Sequence, residues 1–316
     1  MLTAEEFGRT SGGESVTLIR LTNSLGAFIE LISYGCALKR VCVPDKDGVL
    51  TDVCAGFGSI GEYEASDAKM GAIIGRTSGR IKNARFTLNG REYALSDNAG
   101  GNQLHGGPTG FDRRVWQWRA RGEGVVFSRR SPDGEEGYPG TLDAEISYDF
   151  SDSGALTIGY LAVCDEDTYC SLTNHAYWNL GCPVDDTLMR VHSNTYVEAG
   201  DDLLPTGRLL PVAGTEFDHR DFSPIGCAVI DHSFPLDGEG LRPACELRNN
   251  ANGISVAIST TLPSIHVYTG NFLPVPRSSV ALEAQYIPNG MNSDVFPSPL
   301  LLKGQVWIQK TVVRFN

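Results

Sequence analysis

No run of about 18 or more apolar residues occurs in this chain, so no membrane-spanning helix is expected. Clusters of Lys and Arg are missing too. With 26 basic against 38 acidic residues the formal net charge is −12, a field that repels nucleic acid and leaves a small neutral ligand unaffected. The opening MLTAEEFGRTSGGES has neither a basic n-region nor an apolar h-region, which speaks against a secretory signal. Eight cysteines are present (Cys36, Cys42, Cys54, Cys164, Cys170, Cys182, Cys227 and Cys245), yet no C-x-x-C pair occurs. Most sit in apolar strand-like runs, so buried free thiols in a cytoplasmic protein are expected.

Cofactor signatures are equally scarce. There is no Walker A sequence and no G-x-S-x-G elbow. The six histidines (His105, His175, His192, His219, His232 and His266) make no H-x-H or H-E-x-x-H spacing, so local sequence points to no metal site. Gly56–Gly61 (GFGSIG) matches the dinucleotide pattern, but a pyrophosphate site needs a helix opening there inside a βαβ unit. The following EYEASDAKM offers at most a short helix with no parallel strand behind it. No cofactor is expected.

What the chain does have is period-two alternation from end to end, in Val16–Leu21, Ala27–Ser33, Leu156–Val163, Ile254–Thr260, Ile265–Thr269 and Val306–Phe315. Asn89-Gly90 between ARFTL and REYAL is a two-residue hairpin signal, and Asp47-Gly48 marks a turn between RVCVP and VLTDV. Helical periodicity is nearly absent; Gly61–Met70 is the best short candidate. The 36 glycines and 16 prolines are spread as turn residues and form no linker. Residues 1–316 therefore read as one large all-β domain of two packed sheets with few short helices.

Three segments are too polar for the apolar strands they interrupt. The first is Gly75–Arg80 (GRTSGR) with Asn102–Gly107 (NQLHGG) downstream; alone, its arginines could be surface charges and His105 a turn residue. The second is Thr173–Leu180 (TNHAYWNL). Extended, it puts His175, Tyr177 and Asn179 on one face, where an aromatic ring can cover the C–H face of a pyranose while amide and imidazole groups bond its hydroxyls. A hydrogen-bonded core histidine would fit that segment as well. The third is Val280–Tyr286 (VALEAQY), where alternation groups Ala281, Glu283 and Gln285. A carboxylate there is either on a solvated strand face or held in a cleft; unaided, the solvated face is the simpler reading.

Together these residues supply what exchange of sugar anomers requires. Opening a cyclic hemiacetal needs a base for the C1 hydroxyl proton and an acid for the ring oxygen. Rotation about C1–C2 and reclosure reverse both transfers. Free carboxyl and imidazole groups, titrating near about 4.3 and 6.5, suit the two tasks at weakly acidic to neutral pH.

The ordered series GAIIGRTSGRI, NQLHGG, GFDRRVW, TNHAYWNL, VIDHSF, VYTGNF, LEAQYIPNGMN and VFPSPLL resembles the signature set of the aldose 1-epimerase (galactose mutarotase) family over nearly the whole chain. The resemblance implies a large antiparallel β-sandwich acting on a free hexose such as glucose or galactose; a monomer or homodimer with a small-molecule sugar as its partner is expected. It implies Glu283 as catalytic base and His175 as catalytic acid. Arg80, His105 and Asp231 fall on sugar-binding positions, and Tyr177 and His266 are expected as further substrate-binding residues. Two residues depart from the family pattern: Gly79 stands where Asn is usual, and His266 where Gln commonly contacts the sugar. Both departures touch binding. A non-catalytic sugar-binding protein on the same fold would need no acid–base pair. A glycoside hydrolase would need two carboxylates flanking the scissile bond, with Asp231 and Glu283 as the candidates.

Overall fold

The computed structural model describes residues 1–316. Its largest element is a nine-stranded antiparallel sheet running from Gln117–Arg121 at one edge to Ser223–Pro224 at the other. The strand Ala155–Cys164, near its middle, shows how alternation builds the interior. Leu156, Ile158, Tyr160, Ala162 and Cys164 are buried, while the residues between them are half-buried on the opposite face. Two five-stranded sheets share that interior. One is a meander from Leu2–Arg9 to Leu50–Asp52, and the other orders the strands Asp231–Pro235, Ser264–Tyr268, Val280–Gln285, Tyr177–Trp178 and Cys54–Ala55. A cluster of 54 buried residues joins Ile19 and Leu31 of the first, Val267 and Leu282 of the second, and Phe127, Ile158 and Val313 of the large sheet. Each such aliphatic side chain contributes about 1.5–3 kcal/mol on full burial. The expected sandwich of packed antiparallel sheets is what forms.

Asn89 and Gly90 both adopt positive φ (51° and 76°), as a tight turn of this kind requires, and the flanking strands pair in register from Leu88 and Arg91. The Asp47-Gly48 turn is longer than two residues. The Asp45 carboxylate accepts the N–H groups of Asp47 (2.9 Å) and Val49 (2.8 Å), and pairing resumes at Pro44 and Leu50. One α-helix exists, Ile60–Ala65, shorter than the Gly61–Met70 expectation. Ser59 caps it and bonds the Glu62 carboxylate (2.8 Å). It stops at Ser66, and Lys69 turns the chain with a φ of 53°. No helix is long and apolar enough to cross a membrane. All eight cysteines are free; six are buried, Cys182 is half-buried and Cys227 is exposed.

Candidate active site

The second five-stranded sheet carries the site on one face. Its ladder opposes Ser233 to His266 and His266 to Glu283, and one pleat further Asp231 to Tyr268, Tyr268 to Ala281 and Ala281 to Tyr177. Directly opposed residues in antiparallel strands point the same way, and residues two apart share a face. The register therefore aligns Asp231, His266, Glu283, Gln285 and Tyr177 along one side. That side forms a wall of a cavity of about 450 Å³. Arg80, His105, His175, Tyr177, Asp231, His266 and Glu283, the seven residues singled out from sequence, all line it.

Glu283 is not on a solvated face. Its strand is buried on both sides and its side chain is 2% exposed, because the neighbouring strands and the cavity enclose it. The TNHAYWNL segment is not one continuous strand either. Thr173–Asn174 pairs with Ile73–Ile74, whereas Tyr177–Trp178 pairs with Val280-Ala281 and with Cys54–Ala55. His175 bridges the two, its N–H donating to the Ala72 carbonyl (2.8 Å) and its carbonyl accepting from the Gly71 N–H (3.0 Å). His175 and Tyr177 still face the cavity together, with ring centroids 4.9 Å apart. Asn179 does not join them; its amide donates to the Ser278 carbonyl (2.6 Å).

The central relationship is His175 Nε2 to Glu283 Oε1 at 3.5 Å. That is beyond a good hydrogen bond, although both side chains are buried. His175 Nδ1, Glu283 Oε2 and Gln285 Oε1 are also buried without partners. Orphaned polar atoms of this kind are costly unless a ligand satisfies them.

His105 supports this pair. It takes a φ of 53°, its Nδ1 accepts the Gly79 N–H (3.2 Å), and its ring meets that of His175 edge-on with centroids 5.3 Å apart. Burial holds the His105 imidazole well below its usual range, and the positive fields of His175, Lys69, Arg80 and His266 push the same way. His105 is thus a neutral hydrogen-bonding group at neutral pH. Arg80, on a short strand paired with Gln103–Leu104, has no side-chain partner within the protein.

Asp231 accepts a 2.8 Å bond from His266 Nε2, and His266 Nδ1 lies 2.9 Å from Ser233 Oγ. Burial alone would raise the Asp231 carboxyl, but the His266 bond and charge, with Arg80 and His232, hold it below its usual range. Burial opposes the charged form of His266, yet Asp231 and then Glu283 lift it above its ordinary value. Both ring nitrogens of His266 are taken. It lines the cavity but has no free donor or acceptor for the sugar, which differs from the direct contact expected of it.

Two further residues were not evident from sequence. Lys69 lines the cavity and pairs with Asp112 at 2.9 Å, both nearly buried; no local pattern joins positions 69 and 112. Gln285 was visible only as a companion of Glu283 at a spacing of two. His105, His175 and Glu283 offer donor atoms within 4.8 Å of one another, a grouping that linear spacing could not reveal. Binding an ion there would occupy the groups best arranged to carry protons, and none is assigned as a metal ligand.

Comparisons with known proteins agree with this geometry. A family model described as aldose 1-epimerase matches residues 17–314. The chain is 36% identical to galactose mutarotase of Homo sapiens, covering 97% of this chain and 96% of the other. It is 31% identical to aldose 1-epimerase of Escherichia coli K12, covering 96% of each. Among solved structures, an aldose epimerase homologue from C. elegans superposes with a TM-score of 0.90 at 29% identity, covering 95% of this chain and 98% of that one. A galactose 1-epimerase from Lactobacillus acidophilus gives 0.89 at 25% identity, covering 100% and 98%.

Proposed function

This chain belongs to the aldose 1-epimerase family, and on that premise we propose that it interconverts the anomers of a free hexose of the galactose and glucose type, with Glu283 as base and His175 as acid. Glu283 takes the proton of the C1 hydroxyl while protonated His175 gives one to the ring oxygen, and the ring opens to the aldehyde. After rotation about C1–C2 the two groups exchange tasks and the ring closes on the other face. Both transfers occur at oxygens sharing one carbon, so acid and base have to stand close together without being locked to each other. The observation that carries the reading is the 3.5 Å approach of His175 to Glu283, with an unpartnered atom on each, beside a half-exposed free guanidinium at Arg80.

Arg80, His105 and Asp231 orient the sugar hydroxyls, and Tyr177 offers ring surface. Hydrolysis is the weaker reading. A glycosidase on this frame would need Asp231 and Glu283 as its carboxylate pair, but one Asp231 oxygen is already bonded to His266, whereas His175 stands beside Glu283 with neither bonded to the other. Work in the cytoplasm is supported by eight thiols with no disulfide among them. Polarimetry on freshly dissolved α-galactose and α-glucose, run beside an aryl galactoside, tests the proposal. Accelerated decay of optical rotation with no aryl release is expected; aryl release without mutarotation would overturn it.

A further inference from the structure

We propose that Ser233, His266 and Asp231 form a hydrogen-bonded positioning chain, in which the charge on His266 sets how firmly Asp231 is held and hence how tightly the sugar binds. This rests on the functional reading above, since it concerns the sugar side of the same cavity.

The chain runs Ser233 Oγ to His266 Nδ1 (2.9 Å) and His266 Nε2 to Asp231 Oδ1 (2.8 Å). The order of residues is that of a nucleophilic Ser-His-Asp triad, with the two imidazole nitrogens interchanged. Ser233, however, is 4% exposed and lies off the cavity lining, so it is not placed to attack a substrate. The chain points the other way: Asp231 is its end in the cavity, and Asp231 Oδ2 has no partner within the protein. A carboxylate with one oxygen fixed and the other open presents a directed acceptor to a sugar hydroxyl.

His266 can change charge here without changing shape. Neutral, it donates from Nε2 to Asp231 and accepts the Ser233 hydroxyl at Nδ1. Protonated, it donates from both nitrogens, and the Ser233 hydroxyl rotates to accept. Only the strength of the hold differs, because a bond between charged partners is roughly twice as strong as one with a neutral donor. The charged groups acting on His266 come from each element around it. Asp231 and His232 lie on one neighbouring strand and Glu283 is opposite on the other; Arg80 and His105 act from beyond them. Asp231 and Glu283 favour the imidazolium and raise its titration above the ordinary value of 6.5.

The sign follows. Below the His266 titration, which lies above 6.5, the pair is charged and Asp231 is held firmly. As pH rises through the His266 titration the hold weakens and sugar affinity falls, by about five-fold for a difference of roughly 1 kcal/mol. The probe is 1,5-anhydrogalactitol, which keeps the ring hydroxyls, lacks O1 and cannot react. Its Kd is measured by calorimetry between pH 5.5 and 9 for the wild-type protein and for His266→Gln, which can donate one bond to Asp231 and never titrates. The alkaline loss of affinity is expected in the wild type and absent in His266→Gln. The same pH dependence in both would overturn the proposal. If His266→Gln does not fold, Ser233→Ala serves instead: removing the Nδ1 partner is expected to move the Kd transition to lower pH, and an unmoved transition would overturn the proposal equally. A protein that binds the probe in this pattern but does not speed mutarotation would refute the catalytic reading and leave the positioning chain standing.

Discussion

His175 Nε2 and Glu283 Oε1 lie 3.5 Å apart, both buried and neither hydrogen-bonded to the other. Glu283 lies in a strand and His175 in the link between two short ones: Tyr177, two residues after His175, opposes Ala281, two residues before Glu283. A buried imidazole and carboxylate held close but unbonded are available to two different atoms of a third molecule.

For Glu283, the expected outcome of Glu283→Gln is a folded protein whose kcat falls by about 10²–10⁴, because the amide keeps the shape and cannot accept the proton. Coupled-assay turnover together with a thermal melt checks this. Near-normal turnover in a folded variant would remove Glu283 from the base role.

For His175, replacement by Gln is expected to lower turnover per folded molecule by a similar factor at every pH, while saturating galactose still raises Tm by mass action. A histidine serving only the core would lower stability and leave turnover per folded molecule intact. In that event the acid would have to be sought at His105, a poor second candidate because burial and its positive neighbours keep that ring neutral.

His105 itself makes a prediction about stability. Its folded-state titration lies below the ordinary 6.5, so as pH falls the unfolded chain takes up this proton first. Its contribution is therefore full above about 6.5 and declines as pH drops toward the folded value. Denaturant melts from pH 8 to 5 are expected to fall less steeply for His105→Asn than for wild type. Parallel curves would show that His105 does not carry this linkage.

Gly79 has a φ of 72°, and a Cβ built on it would stand 2.5 Å from Cγ and 2.7 Å from Cβ of Pro288. The conformation disfavours any L side chain, and the proline ring cannot swing away as a flexible chain would. Gly79→Ala is expected to cost about 1–3 kcal/mol and to raise KM, because Gly79 donates to His105 and precedes Arg80. Asn tolerates positive φ better than most residues, yet it meets the same ring. Unchanged Tm and KM in Gly79→Ala would show that Pro288 yields freely.

Alternation, turn chemistry and the order of short motifs were readable along the chain, because each depends on residues within a few positions of one another. They determined an all-β fold, the hairpin at Asn89-Gly90, and the candidates His175 and Glu283. Whether Glu283 faced water or a cavity was not decidable at that level, since Ala281, Glu283 and Gln285 alternate identically on either kind of face. Tertiary packing decided it: both faces of Val280–Gln285 are buried, and Glu283 lines a cavity with His175, His105 and Arg80, residues from distant segments. The same holds for His266, whose two ring nitrogens are taken by Asp231 and Ser233 on the adjacent strand, and for Lys69, whose charge is met by Asp112. Those partners lie tens of residues away, and hydrogen bonding and charge pairing act through space. Local sequence therefore set which chemical groups the protein owns, and strand register set which of them stand free to meet a sugar.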